Sequence, residues 1–115
     1  MFYKAHSFEP EIRHEMRGGE GDVLIEPLVE KKNLPSNCRL LSKITIQPGC
    51  SIGFHEHQGE TEIFTVLSGK ALFKDDQKES CATVGDTLTT GSGHGHSAAC
   101  VGNEPLVLYA VIILD

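Results

Sequence analysis

Four residues, His55, His57, Glu62 and His96, carry the side chains of a divalent-metal site at spacings that can bring them together. Side chains alternate across a β-strand, so residues two apart face the same way. His55 and His57 therefore share one side of a strand. Glu62, Phe64 and Val66 share one side of the next, and His94, His96, Ala98 and Cys100 one side of a later strand. If these sides form one interior, three imidazoles and a carboxylate converge there. Such a donor set suits Mn, Fe, Co, Ni, Cu or Zn. Mg and Ca prefer more oxygen. Glu60 has the same parity as Glu62, so the residues alone leave two carboxylates in competition. His94, beside Gly93, reads either as an acid–base residue at the mouth of the site or as an ordinary solvated histidine. Four protein ligands on an octahedral ion leave two positions open for water or a small oxygen ligand, unlike a structural zinc with its closed four-coordinate shell.

The elements that must position these residues read as β throughout. Apolar or alternating runs are cut at short intervals by Gly, Pro, Asn and Asp. Strands are expected over Asp22–Val29, Cys38–Gln47, the His55 segment, Glu62–Leu67, Ala71–Lys74, Lys78–Val84, Asp86–Thr90, His94–Val101 and Leu106–Leu114. Pro48-Gly49, Ser68-Gly69, Asp75-Asp76 and Gly102-Asn103 supply turns. The unbroken hydrophobicity of Leu106–Leu114 predicts burial on both faces. Phe8–Met16 carries the one weak helical signal, a short turn before Gly18-Gly19. An all-β chain with so many short strands must protect its edges, and a sandwich or barrel does so.

The glycine and ligand spacings resemble those of the cupins. Gly49, five residues, His55-Glu56-His57, four residues, Glu62, six residues and Gly69 match the first cupin motif at every fixed position. The second motif starts at Gly85, sixteen positions after Gly69. There Gly91-Ser92-Gly93 stands in place of Pro-x-Gly, His96 is kept, and Cys100 replaces an Asn. The resemblance covers Gly49 to about Val101 by motif. It implies a double-stranded β-helix, or jelly-roll cupin barrel, with His55, His57, Glu62 and His96 as metal ligands. It thereby selects Glu62 over Glu60. The chain is most similar to small single-domain cupins of the oxalate-decarboxylase-like kind. Some of these carry a Met-Arg-Gly-Gly-x-Gly segment near a dimer contact. Met16–Gly21 reads Met-Arg-Gly-Gly-Glu-Gly, so residues 1–21 are expected at a homodimer interface. Arg17 in that segment reads equally as a grip for a carboxylate substrate or as a backbone or interface residue.

The 115 residues fit one domain spanning 1–115, with core motifs at 49–69 and 85–101. Ten Lys and Arg against sixteen Asp and Glu give a formal net charge of −6. That charge argues against nucleic acid and anionic membrane surfaces as partners. The longest apolar run, Leu106–Leu114, is nine residues, too short for a transmembrane helix. Lys4, His6, Glu9 and Glu11 do not suit a signal peptide. A cytoplasmic protein with its four cysteines reduced is therefore expected. Phe64, Phe73, Ile44 and Ile46 read as core or pocket wall, Tyr109 and Cys100 as core. The first functional expectation is a metalloenzyme (decarboxylase, oxygenase, isomerase or lyase) acting on a small oxygenated metabolite such as a carboxylate, hydroxy acid or sugar. The alternatives are a non-catalytic module binding a small molecule or metal, and a barrel whose metal serves its stability.

Overall fold

Period-two alternation drives the architecture, because each inward apolar set must find a facing one. The computed structural model describes residues 1–115. Ten strands form: β1 (Glu11–His14), β2 (Asp22–Pro27), β3 (Cys38–Ile46), β4 (Ser51–Glu56), β5 (Glu60–Ser68), β6 (Lys70–Asp75), β7 (Lys78–Ala82), β8 (Thr87–Thr90), β9 (Gly95–Val101) and β10 (Leu106–Leu114). They build two antiparallel sheets, one of six strands in the order β1-β2-β3-β10-β5-β8 and one of four in the order β4-β9-β6-β7. This is the expected all-β jelly roll. No helix is long and apolar enough to cross a membrane.

The two sheets close over a shared core. The large sheet contributes Val23, Ile25, Ile44, Ile46, Phe64, Val66, Leu106 and Leu108, and the small sheet Ile52, Ala71, Phe73, Ala82, Ala98 and Cys100. Burial of each larger side chain contributes roughly 1.5–3 kcal/mol. The Phe64 and Phe73 rings, one from each sheet, stack at 6.2 Å between centroids. At Gly69 the backbone turns with φ of 78°, and a Cβ would strike the Pro105 carbonyl, so a tight corner and a close approach coincide there.

Three local expectations are corrected. Phe8–Met16 forms no helical turn. It contains β1, paired with β2 so that Ile12 lies opposite Leu24, and a one-turn 3-10 segment follows at Met16–Gly18. Glu15 and Arg17 adopt positive φ of 50° and 56°, which ends regular helix locally. Second, Leu106–Leu114 is not buried on both faces. Leu106, Leu108, Ala110 and Ile112 point into the core, whereas Val107, Val111 and Ile113 are half-buried and Tyr109 is 46% exposed. β10 lies mid-sheet between β3 and β5, and its outer face is only partly covered, with the N-terminal residues Ala5, His6 and Phe8 beside Tyr109. Third, β9 begins at Gly95, so His94 lies in the preceding turn and does not share the inward face of His96, Ala98 and Cys100.

Candidate metal centre

Both sheets and the crossing between them deliver the four candidate ligands. His55 on β4 lies directly opposite His96 on β9 in the small sheet. Glu62 on β5 lies opposite Thr90 on β8 in the large sheet. His57 follows β4 in the crossover to β5, anchored by its backbone N–H to the His94 carbonyl at 3.0 Å and by its carbonyl to the Gly93 N–H at 2.8 Å. The glycine-rich stretch that departs from the second cupin motif thus braces His57 through its backbone.

The donor atoms form a tight group, all within 4.8 Å of one another. His96 Nε2 lies 3.1 Å from His57 Nε2 and 3.2 Å from His55 Nε2. Glu62 Oε1 lies 3.0 Å from His96 Nε2 and 3.1 Å from His57 Nε2. Metal–nitrogen bonds of about 2.0–2.1 Å place neighbouring donors about 2.9 Å apart in an octahedral shell and about 3.4 Å apart in a tetrahedral one. These four separations fall between the two values.

Hydrogen bonding at the outer ring nitrogens sets the tautomers. His55 Nδ1 donates to the Gly53 carbonyl at 2.9 Å, since a carbonyl can only accept. His57 Nδ1 donates to Glu60 Oε2 at 2.6 Å. His96 Nδ1 meets Thr90 Oγ1 at 2.8 Å. A neutral imidazole protonated at Nδ1 presents a lone pair at Nε2. His55 and His57 therefore turn lone pairs toward the Glu62 carboxylate, an arrangement that calls for a cation. Burial is the main cause holding the His55 pKa below its ordinary value. The Gly53 carbonyl opposes this, and the neighbouring His96, His57 and Arg17 add to it. The Phe64 ring stacks on His96 at 4.8 Å and 11°, fixing the ring plane. Together these residues form a group that could hold a metal ion.

Glu60 points inward like Glu62, but it meets the far side of His57 instead of the donor group. Arg39 holds it by two bonds, Nε to Oε1 and Nη2 to Oε2, both 2.7 Å. Arg39 is the largest cause, with His57 adding, of a Glu60 pKa pushed down to about 2. His94 is exposed at the rim, its Nδ1 2.7 Å from Asp76 Oδ2, and is not among the residues lining the chamber beside the donors. Cys100 is buried, its thiol donating to the Glu104 carbonyl at 3.1 Å. All four cysteines are free thiols.

A chamber of about 80 Å³ opens beside His55, His57 and Glu62. Its walls are apolar at Met16, Ile44, Ile52, Phe64 and Ile112, and three arginines, Arg13, Arg17 and Arg39, line it with Glu11. Of these, sequence reasoning singled out Arg17 alone. Arg13 lies on a strand read as helical, and Arg39 lies in an alternating strand where it passes for a surface charge. Arg13 is tied to Glu11 at 2.8 Å and Arg39 to Glu60, so Arg17 is the guanidinium left free for a ligand.

Residues 42–112 match the cupin domain family. The chain is 38% identical over 114 residues to an oxalate-binding protein of Thermotoga maritima, covering 99% of this chain and 94% of that one. A crystal structure from the same organism, described as a predicted oxalate decarboxylase, superposes with a TM-score of 0.95 at 37% identity, covering all of both chains. KdgF from Halomonas sp. shares the fold, with a TM-score of 0.78 at 12% identity over 100% of this chain and 94% of that one. The chain belongs to the cupin family.

Proposed function

We propose that this cupin binds a small dicarboxylate, oxalate or a close analogue, at a divalent transition metal held by His55, His57, Glu62 and His96. The observation that carries this reading is the arginine-lined chamber beside the donor group. Its volume, about 80 Å³, admits a ligand of only a few heavy atoms. Its charge points the same way. Three guanidinium groups and a divalent ion, set against Glu11, Glu60 and Glu62, leave two net positive charges for a dianion to balance. The oxalate-binding relative from Thermotoga maritima supports the same ligand class. Bound there, the ion, one of Mn, Fe, Co, Ni, Cu or Zn, supplies Lewis-acid positions for oxygen donors. The chain's own part is to grip the ligand's outward oxygens through Arg17 and to keep its inner end among apolar walls.

Binding is favoured over turnover because the chamber's one acid outside the donor group, Glu11, is exposed and paired with Arg13. The second reading, a metal-dependent decarboxylase, oxygenase, isomerase or lyase, rests on that same Glu11. Released from Arg13, it is the group placed to move a proton.

Elemental analysis of the purified protein, followed by calorimetric titration with oxalate before and after metal stripping, tests the proposal. Oxalate should bind the metal-loaded protein, and both chelation and His96→Ala should abolish binding. Failure of the metal-loaded protein to bind oxalate or malonate removes the reading. Release of formate or CO₂ from bound oxalate would turn it to catalysis.

We further propose a homodimer joined through the N-terminal segment and the partly covered outer face of the large sheet. β1 is an edge strand with all four residues exposed, and Tyr109 presents an apolar ring on the outer face of β10. Sedimentation of the wild type and of Tyr109→Asp measures this. A cytoplasmic setting suits the four free thiols.

A further inference from the structure

Glu60, weighed against Glu62 as a ligand, is built into the site in another way. Its side chain is only 12% exposed, and that of His57 3%. A carboxylate so enclosed is costly unless its oxygens are satisfied. Both are, by Arg39 on one side and His57 Nδ1 on the other. Arg39 comes from β3, separated from β5 by β10, so its guanidinium reaches across a whole strand to form a planar two-bond fork. The fork fixes the plane of the carboxylate, and the carboxylate fixes both the tautomer and the tilt of the His57 ring. His55 and His96 are steadied by a backbone carbonyl and a hydroxyl. His57, which lies beyond the end of β4, is the candidate ligand steadied by a full ion pair.

We propose that Glu60 and Arg39 are positioning residues for the metal, acting through His57 to hold its Nε2 at the donor group. This rests on the metal reading above. It makes Arg39, which bonds Glu60 and none of the four candidate ligands, a determinant of metal affinity.

The sign of one substitution separates this from simple electrostatics. Loss of a positive charge near a cation site tightens cation binding if the charge acts only through space. Loss of Arg39 weakens binding if it acts by holding Glu60 and His57.

The test is titration of the metal-free full-length protein with Co²⁺ and with Zn²⁺, followed by calorimetry and the visible absorption of Co²⁺. Wild type, Glu60→Gln, Arg39→Gln, Arg39→Lys and the double variant Glu60→Gln/Arg39→Gln are compared. Glu60→Gln should weaken Co²⁺ binding about 10- to 100-fold, and Arg39→Gln about threefold or more. The double variant should be no weaker than Glu60→Gln, because Arg39 acts through Glu60. The Co²⁺ absorption bands should shift in Glu60→Gln and in Arg39→Gln, and Arg39→Lys, which cannot form the two-bond fork, should fall between wild type and Arg39→Gln. Melting of the metal-free proteins monitors folding, and if Glu60→Gln does not fold, the two Arg39 variants decide. Equal or tighter Co²⁺ binding by Arg39→Gln overturns the proposal, as do independent, additive losses in the double variant. A wild type that takes up neither ion overturns the metal reading itself, a result distinct from a wild type that binds and variants that match it.

Discussion

Thr90 Oγ1 lies 2.8 Å from Nδ1 of His96, and both residues are almost wholly buried. Thr90 also sits opposite Glu62 across the β5–β8 pairing. One residue of the edge strand β8 thus supports a histidine of the other sheet while flanking a carboxylate of its own. Thr90→Val keeps the shape and removes the hydroxyl. It leaves His96 Nδ1 without its hydrogen-bond partner, which costs about 1–3 kcal/mol in urea unfolding of the metal-free protein. Metal binding should weaken about 10-fold, measured by Co²⁺ titration.

Removal of the metal should lower stability by the free energy of binding to the folded state alone. At free metal about 1,000 times its dissociation constant, that amounts to about 4 kcal/mol. The melting temperature of the purified protein should therefore fall on chelation and return with Mn²⁺, Fe²⁺, Co²⁺, Ni²⁺ or Zn²⁺. His55→Ala should abolish the metal-dependent rise. A melting temperature indifferent to chelator and to every ion would mean that the four residues hold no metal.

Three of the four donors, His55, Glu62 and His96, were legible in the sequence because they lie on strands whose period-two parity survives folding; His57, just past the end of β4, and the choice of Glu62 over Glu60 were legible only through the motif spacing. Glu62, Phe64 and Val66 all point inward, as do His96, Ala98 and Cys100. What was not legible depends on sequence-distant approach or on exact strand ends. Arg39 and Glu60 meet across the intervening β10, an adjacency that no spacing of 21 residues announces. Parity alone made Glu60 a rival ligand. The geometry turns it to the outer nitrogen of His57, because that histidine has left its strand. His94 failed to share the face of His96 because β9 starts one residue after it. Tyr109 is read as core when hydrophobicity alone is weighed, but a mid-sheet strand has two faces and this chain fully buries one of them.

His14 carries the pH dependence of the N-terminal hairpin. Its Nδ1 lies 2.7 Å from Asp22 Oδ1, its cross-strand partner, and its Nε2 lies 2.9 Å from Glu15 Oε1. The hydrogen bond to Asp22, with Glu15 adding, raises the His14 pKa above its ordinary value of 6.5. A raised folded-state pKa means that the charged form is favoured by folding. Its stabilisation is full below the unfolded value and is lost as pH rises through the folded one. The wild-type advantage over His14→Gln in urea midpoint should therefore be full below the ordinary value of 6.5 and shrink as pH rises above it. Hydrogen exchange at Arg13, which pairs with Val23, should quicken over the same range beyond the intrinsic base catalysis seen in His14→Gln.

Arg17 is aimed at the chamber by two glycines it does not touch through its own side chain. Gly19 and Gly53 lie back to back where the Met16–Gly18 turn rests on β4. A Cβ on Gly53 would collide with the Arg17 carbonyl, and a Cβ on Gly19 with the Ser51 carbonyl. The backbone there is close because no side chain intervenes, and Arg17 itself holds a positive φ of 56°. Such a conformation costs an ordinary residue about 1–3 kcal/mol. Gly53→Ala should push the turn away, lower stability by about 1–3 kcal/mol, and carry Arg17 off the ligand. Arg17→Gln should remove the grip and leave the turn in place. Both should weaken oxalate binding to the metal-loaded protein, Arg17→Gln by about 10-fold. Co²⁺ affinity separates their causes. Arg17→Gln should leave it equal or tighter, since a positive charge near His55 is gone. Gly53→Ala should weaken it, since the Gly53 carbonyl that orients His55 moves with the strand. Unchanged oxalate binding in Arg17→Gln would assign the grip to Arg13 or Arg39.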